Sequence, residues 1–226
     1  MELVKLQRER AVDAVYEALR QAIVSSLMKP GERLNVDDLA HKLGVSLTPV
    51  RGAIQQLATE GLVEIRPRSG TFVANLTAQD VEETFKIRCA LECLAAEEGI
   101  ANITGQDIAR LQELLQFLRR PVENEAEQTI HEKNNSELHQ IIVRSSNNRR
   151  LIELYEGLQA HIKIARIHSG ESNWADRLDE EQMEHQAIVV AIEKRDAKEL
   201  GTALRKHIYR AKDALVATLR TRLKAG

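Results

Sequence analysis

Apolar residues recur at helical spacing along almost the whole chain, with one short stretch near residue 70 as the exception. From Met1 to Ser25, the residues Ala11, Val15, Leu19, Ala22 and Ile23 share one face, which predicts an amphipathic helix. Lys29-Pro30-Gly31 then breaks the pattern. Two shorter helical patterns follow. The first has Val36, Leu39, Ala40 and Leu43 on one side, with Asn35 as N-cap. The second buries Val50, Ile54 and Leu57, with Ser46 as cap and Pro49 early in the helix, where a missing N–H costs little. Gly44 lies between them, where a left-handed residue ends a helix, and small Ala40 and Gly44 allow a close crossing. Leu62–Arg66 and Thr71–Ala74 read instead as strands around the turn Pro67-Arg68-Ser69-Gly70.

Beyond Asn75-Leu76-Thr77 the pattern is helical, with almost no strand signal. Thr77-Ala78-Gln79-Asp80 and Thr104-Gly105-Gln106-Asp107 have capping-box spacing and open helices at 78–100 and 105–119. Pro121 starts a third helix at 122–145, and Asn147-Asn148 bends the chain into a fourth reaching 168. Ser169–Asn173 is loop, a fifth helix covers 177–194, and Asp196 caps a sixth that runs to the C-terminus. Helices on short connections pack as an antiparallel bundle. The fold class is therefore mostly α. Residues 1–76 form a winged helix-turn-helix of three helices plus a β-hairpin, and residues 77–226 form an all-α bundle.

The second helix of the helix-turn-helix exposes Thr48, Arg51, Gln55 and Gln56, and the wing tip carries Arg66 and Arg68. These groups hydrogen-bond to base edges and phosphates, as a helix entering a major groove requires. The 226 residues carry a net charge of only −2, so DNA must be held by a local patch, doubled by dimerisation. Hydrophobic residues reach 43%, which excludes wholesale disorder. No apolar run is long enough for a membrane span, and Met1–Arg20 is charged and amphipathic rather than a signal peptide. A cytoplasmic protein with no membrane partner follows. Cys89 and Cys93, four apart in a helical stretch, read as small buried residues rather than a redox pair.

The run PGERLNVDDLAHKLGVSLTPVRGAIQQLATEGLVEIRPRSGTFV resembles the N-terminal domain of GntR-type bacterial transcription regulators, over about the first third of the chain. The resemblance implies operator DNA as partner. Arg51 matches the second Arg of the family's motif, Thr48 the hydroxyl beside it with Pro49 between, and Gly70 the wing-tip glycine. Gln55, Arg66, Arg68 and Ser69 complete the expected DNA-binding set. Leu47 stands where the family usually has an Arg that helps to grip DNA, so that contact is missing.

Three histidines lie on apolar helix faces. His139 sits beside Leu138 and Ile142, His185 shares a face with Ile188 and Ile192, and His207 one with Ala203, Leu204, Ala211 and Ala214. A buried imidazole is costly unless hydrogen-bonded or ligating. Three of them on three helices, with Asn135 one turn before His139, is how bundles assemble metal sites. The pattern Asn135-x-x-x-His139, Glu184-His185 and His207-Ile208 resembles the metal-binding pattern of the FCD effector domain, which follows the winged helix in one branch of the GntR family. The resemblance implies a divalent metal ion on Asn135, His139, His185 and His207, with Zn²⁺ the first choice and Ni²⁺ or Mn²⁺ open. Asn135 stands where the family often has Asp; a neutral amide binds metal more weakly and leaves more positive charge for an anionic effector. Arg88 matches an FCD-domain Arg that faces the effector pocket in some relatives, and a guanidinium suits a small organic acid. An i,i+4 ion pair with Glu92 is the alternative at Arg88, and both stay open. His41, His131, His161 and His168 read as surface or incidental residues.

The function expected is a ligand-responsive, DNA-binding transcription regulator, homodimeric through its helical domain and not an enzyme. Two other readings compete. Three metal-bound imidazoles with open positions also suit a hydrolase-like enzyme, but Glu184, the candidate base, should point about 100° away from His185. A winged helix can also serve only as a protein-interaction module. The polar second helix and the basic wing decide for DNA.

Overall fold

The computed structural model describes residues 8–168 and 174–225. The expected helix turns before Arg8 and the loop at Ser169–Asn173 lie outside the described residues. The chain divides into two compact units, with a boundary between Thr77 and Ala78; Lys163–His168 group with the first.

The first unit contains α1 (Arg8–Val24), β1 (Arg33–Leu34), α2 (Val36–Leu43), α3 (Leu47–Thr59), β2 (Val63–Arg66) and β3 (Gly70–Val73). Val15, Leu19 and Ile23 of α1 are buried with Val50, Ile54 and Leu57 of α3 in its core. The caps follow from local chemistry. Asn35 accepts from the backbone N–H groups of Asp37 and Asp38, and Gly44 takes the left-handed conformation at φ 64°. Nothing lies within 4 Å of a Cβ built on Gly44, so the turn needs this glycine for its backbone angle and not for a close helix crossing. Ser46 occupies the N-cap of α3 without a capping side-chain hydrogen bond. Leu43, expected on the buried stripe, is 37% exposed.

The hairpin pairs Val63 with Val73 and Arg66 with Gly70. A third strand extends the expected hairpin. β1 pairs antiparallel with β3, Arg33 opposite Phe72 and Leu34 opposite Thr71, and the sheet order is β1-β3-β2. Two residues are too few to show strand alternation; flanking bonds from Gly31 N–H to Val73 C=O and from Val73 N–H to Glu32 C=O hold this strand in place.

The second unit holds α4 (Ala78–Gly99), a 3₁₀ turn at Ile100–Asn102, α5 (Gly105–Leu118), α6 (Glu125–Ser145), the Arg149–Ile162 part of α7 (Arg149–His168), α8 (Trp174–Glu193) and α9 (Ala197–Ala225). α4 packs against α6 and α9, α8 against α9, and α5 against α6 and α8. Thr104 and Asp107 form the reciprocal capping box. α6 begins at Glu125, later than Pro121 would place it, because Asn124 caps it by accepting from Glu127 N–H. Ala95, Val143, Leu151 and Tyr155 join α4, α6 and α7 in one buried cluster. Among the described residues, no helix is long and apolar enough to cross a membrane.

Candidate functional site

Two surfaces carry chemistry, one in each unit. In the first, Thr48, Arg51 and Gln55 are exposed along α3, while Pro49 is half-buried at its start. Arg68 and Ser69 lie in the hairpin turn and Gly70 opens β3, with Arg68 at φ 63° and Gly70 at φ 123°. Arg66 is not extended at the tip. Its Nη2 lies 2.8 Å from Glu64 Oε2 and its guanidinium stands 4.7 Å from the Phe72 ring centre. That pairing lowers the Glu64 pKa. A cleft of about 520 Å³ brings Arg51 of α3 to Arg33, Asn35, Gly70 and Thr71. Sequence reasoning missed Arg33, whose Nε would lie 3.1 Å from a Cβ on Gly70. The short strand that carries Arg33 is what positions it.

In the second unit, His139 of α6, His185 of α8 and His207 of α9 are fully buried, and one nitrogen from each lies within 4.8 Å of the others. The His185 and His207 ring centres are 4.5 Å apart, and those of His139 and His207 5.1 Å. Carboxylates stand behind two of the rings. His139 Nδ1–H donates to Glu92 Oε2 at 2.7 Å, and His207 Nδ1–H to Glu184 Oε2 at 3.1 Å. Since a carboxylate only accepts, each bond fixes the proton on Nδ1 and makes Nε2 the lone pair a cation would use.

Glu184 corrects the sequence reading. It is buried, bonded to His207 and to Arg210 Nε at 2.7 Å, because α9 packs on the side of α8 to which it turns. Burial pushes its carboxyl pKa upward, with Arg210 opposing.

Arg88 forms the i,i+4 pair with Glu92, Nε to Oε1 at 2.6 Å, with both side chains almost fully buried. Tyr155 adds its hydroxyl to the same oxygen at 3.0 Å. Burial alone would raise the Glu92 pKa; the charges of Arg88 and His139 outweigh it and hold the carboxyl well below the usual range. Glu92 thus joins Arg88 and His139 through its two oxygens. Arg88 Nη1 is buried and makes no hydrogen bond among the described residues.

Asn135 is buried beside the cluster, its Nδ2 donating to Glu181 Oε1 at 3.2 Å, while its Oδ1 is buried with no hydrogen bond among the described residues. His131, read from sequence as incidental, is buried one turn before Asn135, its Nε2 4.0 Å from Glu181 Oε1, because α6 turns that whole column inward. His161 is half-buried, His41 is exposed, and the His168 side chain lies outside the described residues. Three imidazoles in reach of one point, two of them backed by carboxylates, with an idle amide oxygen beside them, fit a borderline divalent cation.

The two halves match known proteins separately. Residues 11–73 match the family described as bacterial regulatory proteins, gntR family, and residues 83–210 match the FCD domain. The chain belongs to the GntR family of transcription regulators, in the group that carries an FCD domain, and it is a DNA-binding transcription regulator. It is 36% identical over 152 residues to the HTH-type transcriptional regulator YdhC of Bacillus subtilis, covering 67% of this chain and 68% of that one. It is 27% identical over 204 residues to the HTH-type transcriptional repressor RspR of Escherichia coli K12, covering 89% and 87%. The solved structure of E. coli McbR/YncC superimposes with a TM-score of 0.75 at 26% identity, covering 98% of this chain and all of that one.

Proposed function

We propose that this regulator reads a two-fold operator through Thr48, Pro49, Arg51 and Gln55 of α3 and Arg66, Arg68, Ser69 and Gly70 of the wing. We propose further that it responds to a small organic acid bound in the helical unit beside a divalent cation. Residues 1–76 are the DNA-binding domain and residues 77–226 the effector-binding and dimerisation domain of a cytoplasmic homodimer. The observation that carries the sensor half is the buried convergence of His139, His185 and His207 with Glu92 and Glu184 behind them. These histidines and Asn135 Oδ1 would hold the cation, Zn²⁺ before Ni²⁺ or Mn²⁺ by ligand type. When bound, the cation supplies positive charge and coordination positions open to a carboxylate.

The protein's own residues supply the rest. Arg88 keeps its Nε on Glu92 and has Nη1 available for an effector oxygen. Glu92 shares its two oxygens between Arg88 and His139, so an anion at Arg88 is electrostatically linked to the cluster. The effector alters operator affinity only by favouring one conformational state over another. Catalysis is not part of this reading, since Glu184, the base an enzyme would use, is tied to Arg210 and His207.

Gel shifts on DNA upstream of its own gene test the operator half. Arg51→Ala should weaken binding and reduce the salt slope by about one unit if Arg51 meets a phosphate; unchanged affinity would remove it from the reading set. Elemental analysis tests the sensor half. Gently purified protein should carry about one cation per chain and His185→Ala none, and equal metal in both would end the claim.

A further inference from the structure

The geometry points to Glu181 as a positioning residue that turns Asn135 into a metal ligand, so that the two act together as one anionic donor arm. The inference rests on the metal reading above and concerns only how this chain completes its donor set.

An Asn amide has two ends of similar size and opposite chemistry: an oxygen that can ligate a cation, and an NH₂ that repels one. Packing by shape alone does not choose between them. At Asn135 a carboxylate makes the choice. Glu181 Oε1 lies 3.2 Å from Asn135 Nδ2, and a carboxylate accepts but does not donate, so only the NH₂ end fits against it. The amide oxygen is thereby aimed elsewhere. It is buried in a residue 1% exposed and has no hydrogen bond among the described residues, which is costly for an acceptor unless something electropositive meets it. Asn135 lies on α6 one turn before His139, and the carboxylate that holds its NH₂ end is itself 3.9 Å from His185 Nε2.

Glu181 also stands close to the cluster on its own helix. Its Oε1 is 3.9 Å from His185 Nε2, four residues further along α8. Its carboxylate is therefore placed to polarise the amide, drawing on the N–H bond and enriching the oxygen, as outer carboxylates do for ligating imidazoles. Glu92 and Glu184 serve His139 and His207 in this way. Glu181 extends the arrangement to the fourth donor, and supplies at one remove the negative charge that a neutral amide lacks.

Cobalt(II) is the probe, because its visible absorption reports the ligand set as well as occupancy. Full-length protein is stripped with chelator, and Co²⁺ is titrated against a competing chelator for wild type, Glu181→Gln, Glu181→Ala, Asn135→Asp/Glu181→Gln and His185→Ala. Glu181→Gln and Glu181→Ala should each lower cobalt affinity by about tenfold with an altered visible spectrum. The swapped double variant should bind more tightly than Glu181→Gln, because an Asp ligand then has an amide donor behind it. Glu181 is partly exposed, and melting curves of the stripped proteins identify any variant that has merely lost its fold. Wild-type affinity and spectrum in both Glu181 single variants, or a double variant no tighter than Glu181→Gln, would overturn the proposal while leaving the three-histidine site intact. Undiminished binding by His185→Ala would overturn the metal reading itself, and the proposal with it.

Discussion

Tyr16 and Glu60 show what a single partly buried pair does to a small domain. The Tyr16 hydroxyl donates to Glu60 Oε1 at 2.6 Å, tying α1 to the end of α3. Burial first, and that hydrogen bond second, push the phenol from 10.0 up to about 12. The folded state then holds a proton that the unfolded chain releases, so the contribution to stability is complete below pH 10 and is lost as the pH climbs towards 12. Denaturation midpoints of wild type and Tyr16→Phe at pH 8 and pH 11 check this. Wild type should lose more stability between the two than the variant, which has no phenol proton at that position. Single residues also divide what the sequence discloses from what it hides. The inward faces of His139, His185 and His207 are visible in the spacing of the apolar residues around them. Glu92 is not, because its bond to His139 spans 47 positions and no periodicity links the two. Glu184 misleads for a related reason. Adjacency to His185 says how far around α8 it points, but not that α9 brings His207 and Arg210 there to meet it.

At the scale of the element, what is legible is what is local. Asn35, Gly44 and Thr104 signal helix ends through contacts within a few residues of themselves, and the structure places those ends accordingly. β1 escapes detection because it is two residues long and exists only through pairing with β3, nearly forty positions further on. Gly99 escapes as well. It ends α4 where a Cβ would fall 2.5 Å from Ser146 N and into the Ser145 side chain, so the α4 end and the α6 end meet backbone to backbone. Nothing in the local pattern distinguishes it from a helix-terminal glycine kept for its flexibility. Gly99→Ala should destabilise the protein by about 1–3 kcal/mol, since the obstruction is main chain and cannot rotate aside. A urea titration reads this directly. Gly105→Ala, with open space around its Cβ position, is the matched control and should cost much less.

For the molecule as a whole, a cation held by the folded cluster and not by the unfolded chain adds stability that grows with the logarithm of its concentration. At a hundred times its dissociation constant the gain is about 2.7 kcal/mol, or on the order of 5–10 °C in the melting temperature of a chain this size. Melting wild type with excess Zn²⁺ and then with chelator should reveal that difference, and His185→Ala should melt alike in both. A wild-type curve indifferent to metal would contradict the cluster's proposed role.

The order in which the donors appear along the chain has a further consequence for biosynthesis. His207 leaves the ribosome 68 positions after His139 (207 − 139), with His185 between them. At roughly 5–20 residues per second, several seconds separate the first imidazole from the last. During that interval the nascent chain already carries its entire DNA-reading segment but offers incoming metal only a partial chelate. On the metal reading proposed above, loading is then a closing event of synthesis, set by the pool of cation present when α9 docks.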